Sequence, residues 1–173
     1  MAGVAGVTAP LLQHTGDTGM SLTNLFKFAA VSQVIDDSEG AAAQTDINSD
    51  SVDMNTFDAV SFCVVMGVID ATAATLFKLQ ASSDDGVADG WSDLEATGIT
   101  IADDDDEQMI LVDFNKPKKR YIRIVVTRAT ADATVNVGLA FRYRADFQSV
   151  THETAKLLAH EVHNSPGEGT AGT

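Results

Sequence analysis

Cysteine and proline are nearly missing from this chain, with a single thiol at Cys63 and three prolines in 173 residues. One thiol excludes an intramolecular disulfide framework and a cysteine-based zinc site, so the fold must be held by burial. No apolar run reaches the roughly 18 residues of a membrane span. The first 20 residues hold no Lys or Arg to serve as a signal-peptide n-region, so the expectation is a soluble, non-secreted protein that does not touch membranes. Positive charge is scarce too: 11 basic residues face 25 acidic ones, a formal charge of −14. Such a balance argues against gripping phosphate backbones, and nucleic acid is not an expected partner. Aromatic residues make up only 6% of the chain, few beyond what a core consumes.

Motifs that carry catalysis are also lacking. Gly-x-Ser-x-Gly and the Gly-rich lysine loop do not occur. His160-Glu161-Val162-His163 superficially resembles a zinc-protease motif, but that motif needs two residues between the Glu and the second His so that both imidazoles share one helical face. Asp103 to Asp106 and Asp84-Asp85-Gly86 offer oxygens without the spacing that wraps a calcium ion. Cys63 sits between Phe62 and Val64, where a buried inert thiol is expected rather than a nucleophile. Trp91 and Tyr121 are candidates for a sugar-stacking platform, although the core needs most of the rings. The expectation is no enzyme: no catalytic residue, no cofactor and no metal.

What is present points to β structure. Nineteen of the acids are Asp and six are Glu, and Asp prefers turns and caps to helix interiors. The length suits one domain with a substantial core. Residues 20–147 are expected to form it, between an extended N-terminal arm at 1–19 and a C-terminal appendage and tail at 148–173. The arm holds too few large apolar residues to order itself, which suits either a disordered terminus or a strap ordered by a neighbouring subunit. Met20-Ser21-Leu22 looks like a natural start, which makes an upstream extension a further reading of the arm.

Leu22 to Ile35 fits a helix through Leu22, Leu25, Phe26 and Ala29 or a strand through Phe26, Phe28, Ala30 and Val34. The β-branched Val31, Val34 and Ile35 favour the strand, with a turn at Asp36 to Gly40. Residues 41–58 suggest an irregular crossing anchored by Ile47, Val52 and Met54. Ala59 to Ile69 places Val60, Phe62, Val64, Met66 and Val68 on one face and Ser61, Cys63, Val65 and Ile69 on the other. Both faces are largely apolar, as in a central strand. Further strands are expected at Thr75–Ala81, Gly98–Ala102, Met109–Phe114, Tyr121–Arg128 and Thr134–Tyr143. The last places Val135, Val137, Leu139, Phe141 and Tyr143 together. No long amphipathic helix separates these strands, so parallel crossovers are excluded and an all-β antiparallel sandwich follows, the jelly roll being one topology for it. Thr151 to His163 suits a peripheral helix through Ala155, Leu157, Leu158 and Val162.

Charge is unevenly spread. Residues 36–113 carry 19 acids against Lys78 alone, whereas residues 114–144 carry eight bases against Asp132. The turn Asn115–Arg120 and the end of the last strand supply Lys116, Lys118, Lys119, Arg120, Arg142 and Arg144, the expected contact residues toward a second subunit or an acidic scaffold.

The segment from Asp46 to Arg144, including INSDSVDM and LQASSDDGVADGWSDLEATGITIADDDDEQMILVDFNKPKKRYIRIVVTRATA, together with the closing HEVHNSPGEGTA, resembles small virion proteins of tailed bacteriophages found beside the major capsid gene. The arm at 1–19 departs from that pattern. The resemblance implies a β-sandwich head protein of the decoration or cement kind, located on the phage head surface. It implies the major capsid protein as partner and a symmetric homo-oligomer, with a trimer favoured by lattice matching. A tail, neck or head-fibre component and a carbohydrate-binding sandwich are the rival expectations.

Overall fold

The computed structural model describes residues 25–146, 150–152 and 156–159. A helical turn, α1 (Leu25–Phe28), precedes ten strands: β1 (Ala30–Ile35), β2 (Ile47–Asn48), β3 (Val52–Asp53), β4 (Phe57–Ile69), β5 (Ala74–Ser82), β6 (Ser92–Asp93), β7 (Ile99–Ile101), β8 (Met109–Asn115), β9 (Tyr121–Ala129) and β10 (Ala133–Ala145). They form two antiparallel sheets packed as a sandwich, as the alternation and the turn spacing predict. The front sheet runs β1-β10-β4-β8. In the back sheet β9 and β5 pair along their full length, β2 and β3 both flank β9, and β6 and β7 both flank β5. The chain changes sheet at six connections: β1 to β2, β3 to β4, β4 to β5, β7 to β8, β8 to β9 and β9 to β10.

The core lies between the sheets. Val60, Phe62, Val64 and Met66 of β4 meet Phe77 and Leu79 of β5 and Ile122, Ile124 and Val126 of β9, all fully buried. Each such side chain contributes about 1.5–3 kcal/mol by leaving water. Ile47, Val52 and Met54 are buried anchors of an irregular crossing, as the sequence suggests.

Four expectations are corrected. The Leu22–Ile35 region is neither all helix nor all strand, because α1 ends at Phe28 and β1 begins at Ala30. Val68 does not follow Met66 inward. The β4–β10 register shifts twice between Ala133 and Val137, so Val68 is exposed while Ile69 is buried. The second of these shifts, between Val135 and Val137, turns β10 over: Val135 faces the core, then Gly138 and Ala140 do, leaving Val137, Leu139, Phe141 and Tyr143 on the outer face. Small residues suit the inner positions, because Ile35 fills the space in front of Gly138 and a Cβ there would lie 2.9 Å from the Ile35 side chain. Finally, the described residues of the expected 151–163 helix, Thr151–His152 and Lys156–Ala159, are not helical. The 1–19 arm and the His160–His163 motif lie outside the described residues.

Candidate interaction surfaces

The strand register builds a basic rim at one end of the sandwich. Asn115, the last residue of β8, pairs with Ala59, which pairs in turn with Tyr143 of β10. The Lys116–Arg120 turn and the end of β10 therefore share that end. A shallow hollow of about 360 Å³ lies there, lined by Met54, Phe57, Asp58 and the Lys116–Arg120 turn. Lys116 and Arg144 both adopt left-handed backbone conformations, with φ of 52° and 56°. Both are exposed, as is Lys118, and none of the three has an ion-pair partner among the described residues.

The other three predicted contact residues are engaged within the molecule. Arg120 makes a two-pronged bond to Asp53, at 2.8 and 2.5 Å, and stacks over Tyr121. The Arg120 guanidinium holds the Asp53 carboxyl below the usual carboxylate range, helped by the Asn55 amide and the charge of Arg142. Lys119 pairs with Asp89 at 2.8 Å. With the Ser83 hydroxyl and amide, it pulls that carboxyl down to about 2. Arg142 is half-buried, lies over the Phe57 ring, and donates to the Asp53 carbonyl and the Ser32 hydroxyl. The exposed cations of the rim are thus Lys116, Lys118 and Arg144, with Lys119, Arg120 and Arg142 holding the turns beneath.

The opposite end is acidic because its turns are built by carboxylates. Asp36 accepts from the Ser38 and Glu39 amides, Asp105 from Ala102, Asp106 from Ile69 and Asp103 from Thr72. These bonds replace backbone partners that loops lack. Among the described residues no group of three or more potential ligands is placed to hold a metal. One cation does lie inside this end. Arg128 is 4% exposed and donates to the carbonyls of Thr45, Ala41 and Ala133 at 2.6, 2.7 and 2.8 Å. Its position in phase with Ile122, Ile124 and Val126 was the available sequence clue.

The rings expected to offer a sugar platform are partly buried, and cations lie over two of them. Trp91 lies under the Arg123 guanidinium, 4.4 Å from its ring centre, with its edge against Gly86. Tyr121 lies under Arg120, while Tyr143 belongs to the other sheet.

The two outer faces differ. The back sheet's is polar, with Lys78 and Gln80 bonded to Asp93 and Arg123 bonded to Gln80. The front sheet's carries Val31 and Gln33 of β1, Val137, Leu139 and Phe141 of β10, Ser61, Cys63 and Val65 of β4, and Met109, Leu111 and Asp113 of β8. Beside β1, a groove of about 460 Å³ separates this face from the Lys156–Ala159 segment, lined by Phe26, Val31, Leu139, Phe141, His152 and Leu157.

No protein-family model matches this sequence, and no curated protein matches it. Solved structures of similar shape include the SPBc2 prophage-derived protein YomS, at 11% identity and a TM-score of 0.41, covering 65% of this chain and 92% of that one. Another is infectious bursal disease virus, Gx strain, at 11% identity and 0.45, covering 69% of this chain and 33% of that one. The VP2 subviral particle of the same virus aligns at 14% identity and 0.30, covering 68% and 30%. This chain spans about a third of the two bursal-virus chains. At these identities and scores the alignments carry no argument about function.

Proposed function

We propose that this protein is a bacteriophage virion component that binds the assembled head through the major capsid protein and reinforces it as a symmetric oligomer, without catalytic chemistry. The observation that carries this reading is the rim of Lys116, Lys118 and Arg144, three exposed cations without an ion-pair partner among the described residues, on a molecule of net charge −14. The sequence resemblance to small phage head proteins points the same way. The strand order supports it as well. With β2 and β3 counted as one interrupted strand and β6 and β7 as another, eight strands follow the order 1-8-3-6 and 2-7-4-5, which we read as a jelly roll.

The mechanism is mechanical. A rigid sandwich that bridges neighbouring capsomers buries surface only when they are assembled, so binding shifts the equilibrium toward the closed shell by mass action. Basic side chains at a rim give orientation and association rate, while the stiffness comes from the core behind them.

The test is reconstitution. Purified protein added to shells lacking it is expected to saturate at a stoichiometry fixed by lattice symmetry and to raise the temperature at which the shells open. A well-folded protein that fails to bind overturns the proposal. Microscopy of particles carrying the tagged protein separates a head position from a tail, neck or fibre position.

A further inference from the structure

We infer that the outer face of the front sheet is a self-association surface that takes the same face of a second copy. The inference deepens the oligomeric part of the proposed function and rests on that reading only there. Nine large hydrophobic side chains stand exposed among the described residues. Seven of them, Leu25, Phe26, Val68, Met109, Leu111, Leu157 and Leu158, belong to this sheet or to the segments along its border. Met109 is 57% and Leu111 67% exposed. The register aligns them with apolar neighbours: Leu111 with Cys63 and Leu139, Met109 with Val65 and Val137. A contiguous patch of this kind marks an interaction site more often than isolated exposed residues do.

Charge selects the occupant. Among the outward residues named above for these four strands the one carboxylate is Asp113, to which the Ser61 hydroxyl donates, while the exposed Asp58 lies at the rim end of β4. At the acidic end, two copies would press carboxylate against carboxylate, and at the basic rim cation against cation. The front face is where molecules of net charge −14 can approach at least electrostatic cost.

Geometry sets the strength. The Lys156–Ala159 segment stands over β1, which leaves β10, β4 and β8 open: three strands about 4.8 Å apart and about six residues long give a face near 300 Å². Two such faces remove about 600 Å², well below the roughly 1,200–2,000 Å² of tight interfaces, so the pair is weak on its own. Sheets pack face to face about 10 Å apart, and an apolar sheet is its own complement. The contact is isologous and closes at two copies, which favours a two-fold oligomer over the three-fold one suggested by lattice symmetry.

Sedimentation equilibrium of the full chain tests it, over roughly micromolar to hundreds of micromolar protein. The mass is expected to rise from one protomer toward two. Leu111→Asp should raise the apparent dissociation constant about tenfold or more. Val87→Asp, on a loop at the back-sheet side where Val87 is already 86% exposed, should leave it unchanged. The native Cys63 supplies a second reading, because a short bis-maleimide should join wild-type copies and fail with Leu111→Asp. A protein that stays monomeric throughout overturns the inference, as does equal weakening by both variants. Two specific outcomes also overturn it. Cys63 becoming reactive only after removal of residues 1–24 would assign the face to this chain's own N-terminal segment. Cys63 reactive in a monomer and protected on shell binding would assign it to the shell. Shell binding by monomeric Leu111→Asp protein is scored separately, so loss of this inference leaves the proposed function standing.

Discussion

Arg128 is the side chain on which the acidic end depends. Three carbonyls, those of Ala41, Thr45 and Ala133, accept from its guanidinium, and two of them belong to the loop joining β1 to β2. Burial pulls the Arg128 pKa down, yet the group keeps its charge because arginine titrates so far above neutrality. Charged hydrogen bonds of this kind contribute roughly 1.5–3 kcal/mol each, opposed by several kcal/mol for desolvating the guanidinium. Arg128→Met removes both terms and leaves three carbonyls, each costing about 1–3 kcal/mol if still buried. With the loop relaxing enough to let water reach some of them, the expected loss is about 3 kcal/mol. That corresponds to a fall of about 6–12 °C in melting temperature for a domain of this size. Urea unfolding should show a lower midpoint at unchanged slope. Amide exchange should quicken at Ala133 and Val135, whose N–H groups donate to the Ala43 and Gly40 carbonyls of the same loop. Arg128→Lys keeps the charge but lacks the fork, so about half the loss is expected. If Arg128→Met unfolds within about 0.5 kcal/mol of the wild type, the loop is not held this way.

Other contacts of the fold set three further outcomes. Gly40→Ala should destabilise the domain by about 2–4 kcal/mol in chemical denaturation, because a Cβ there would sit 1.8 Å from the backbone oxygen of Val135. Acid should weaken the basic end. Asp53 and Asp89 titrate below the unfolded aspartate value of about 3.9, so their pairs contribute fully above that pH, and the contribution fades as pH falls through the folded values, to about 2 for Asp89. Urea midpoints measured between those limits should fall more shallowly for Asp89→Asn than for the wild type. Reversing Lys116, Lys118 and Arg144 to Glu should leave the melting temperature nearly unchanged, as surface substitutions do. Shell affinity should fall about tenfold or more, and its salt dependence should flatten.

The layout of the sandwich was legible because its long strands alternate cleanly and its turns are marked by Asp, Gly and Pro117. β4, β5, β8 and β9 appear close to their expected limits. The faces of β10 were not legible. Period-two counting through Thr134–Tyr143 places all the large residues inward, and only the extra residue at the register shift turns Leu139 and Phe141 out. That residue, Asn136, falls between the pairs made to Met66 and Val65 of the partner strand, and a mismatch between two strands is not contained in the pattern of one. For the contact residues, sequence supplied the composition of the rim but not the division of labour within it. Asp53 and Asp89 are 67 and 30 positions from the cations they pair with, and such distances close only in the fold.

Much of the acidity has a structural explanation, since carboxylates cap the turns at both ends of the sandwich. That shifts attention from net charge to two smaller surfaces, the front face and the basic rim, and a brace needs two. Under the proposed function one joins copies, the other holds the shell, and the two must not interfere. Leu111 and Lys116 lie on the same strand and the turn after it, about 16 Å apart at 3.3 Å per residue. That exceeds the roughly 7–10 Å within which substitutions couple directly. For a single copy binding the shell, Leu111→Asp and the triple reversal at Lys116, Lys118 and Arg144 should therefore combine additively within about 0.5 kcal/mol. When copies bind as pairs, the double variant should lose more than the triple reversal alone by the avidity of the second copy, typically about a hundredfold or more. Measuring all four proteins on the same shells at low and high occupancy separates the cases. If Leu111→Asp leaves shell affinity unchanged at every occupancy, pairing through the front face has no part in bracing.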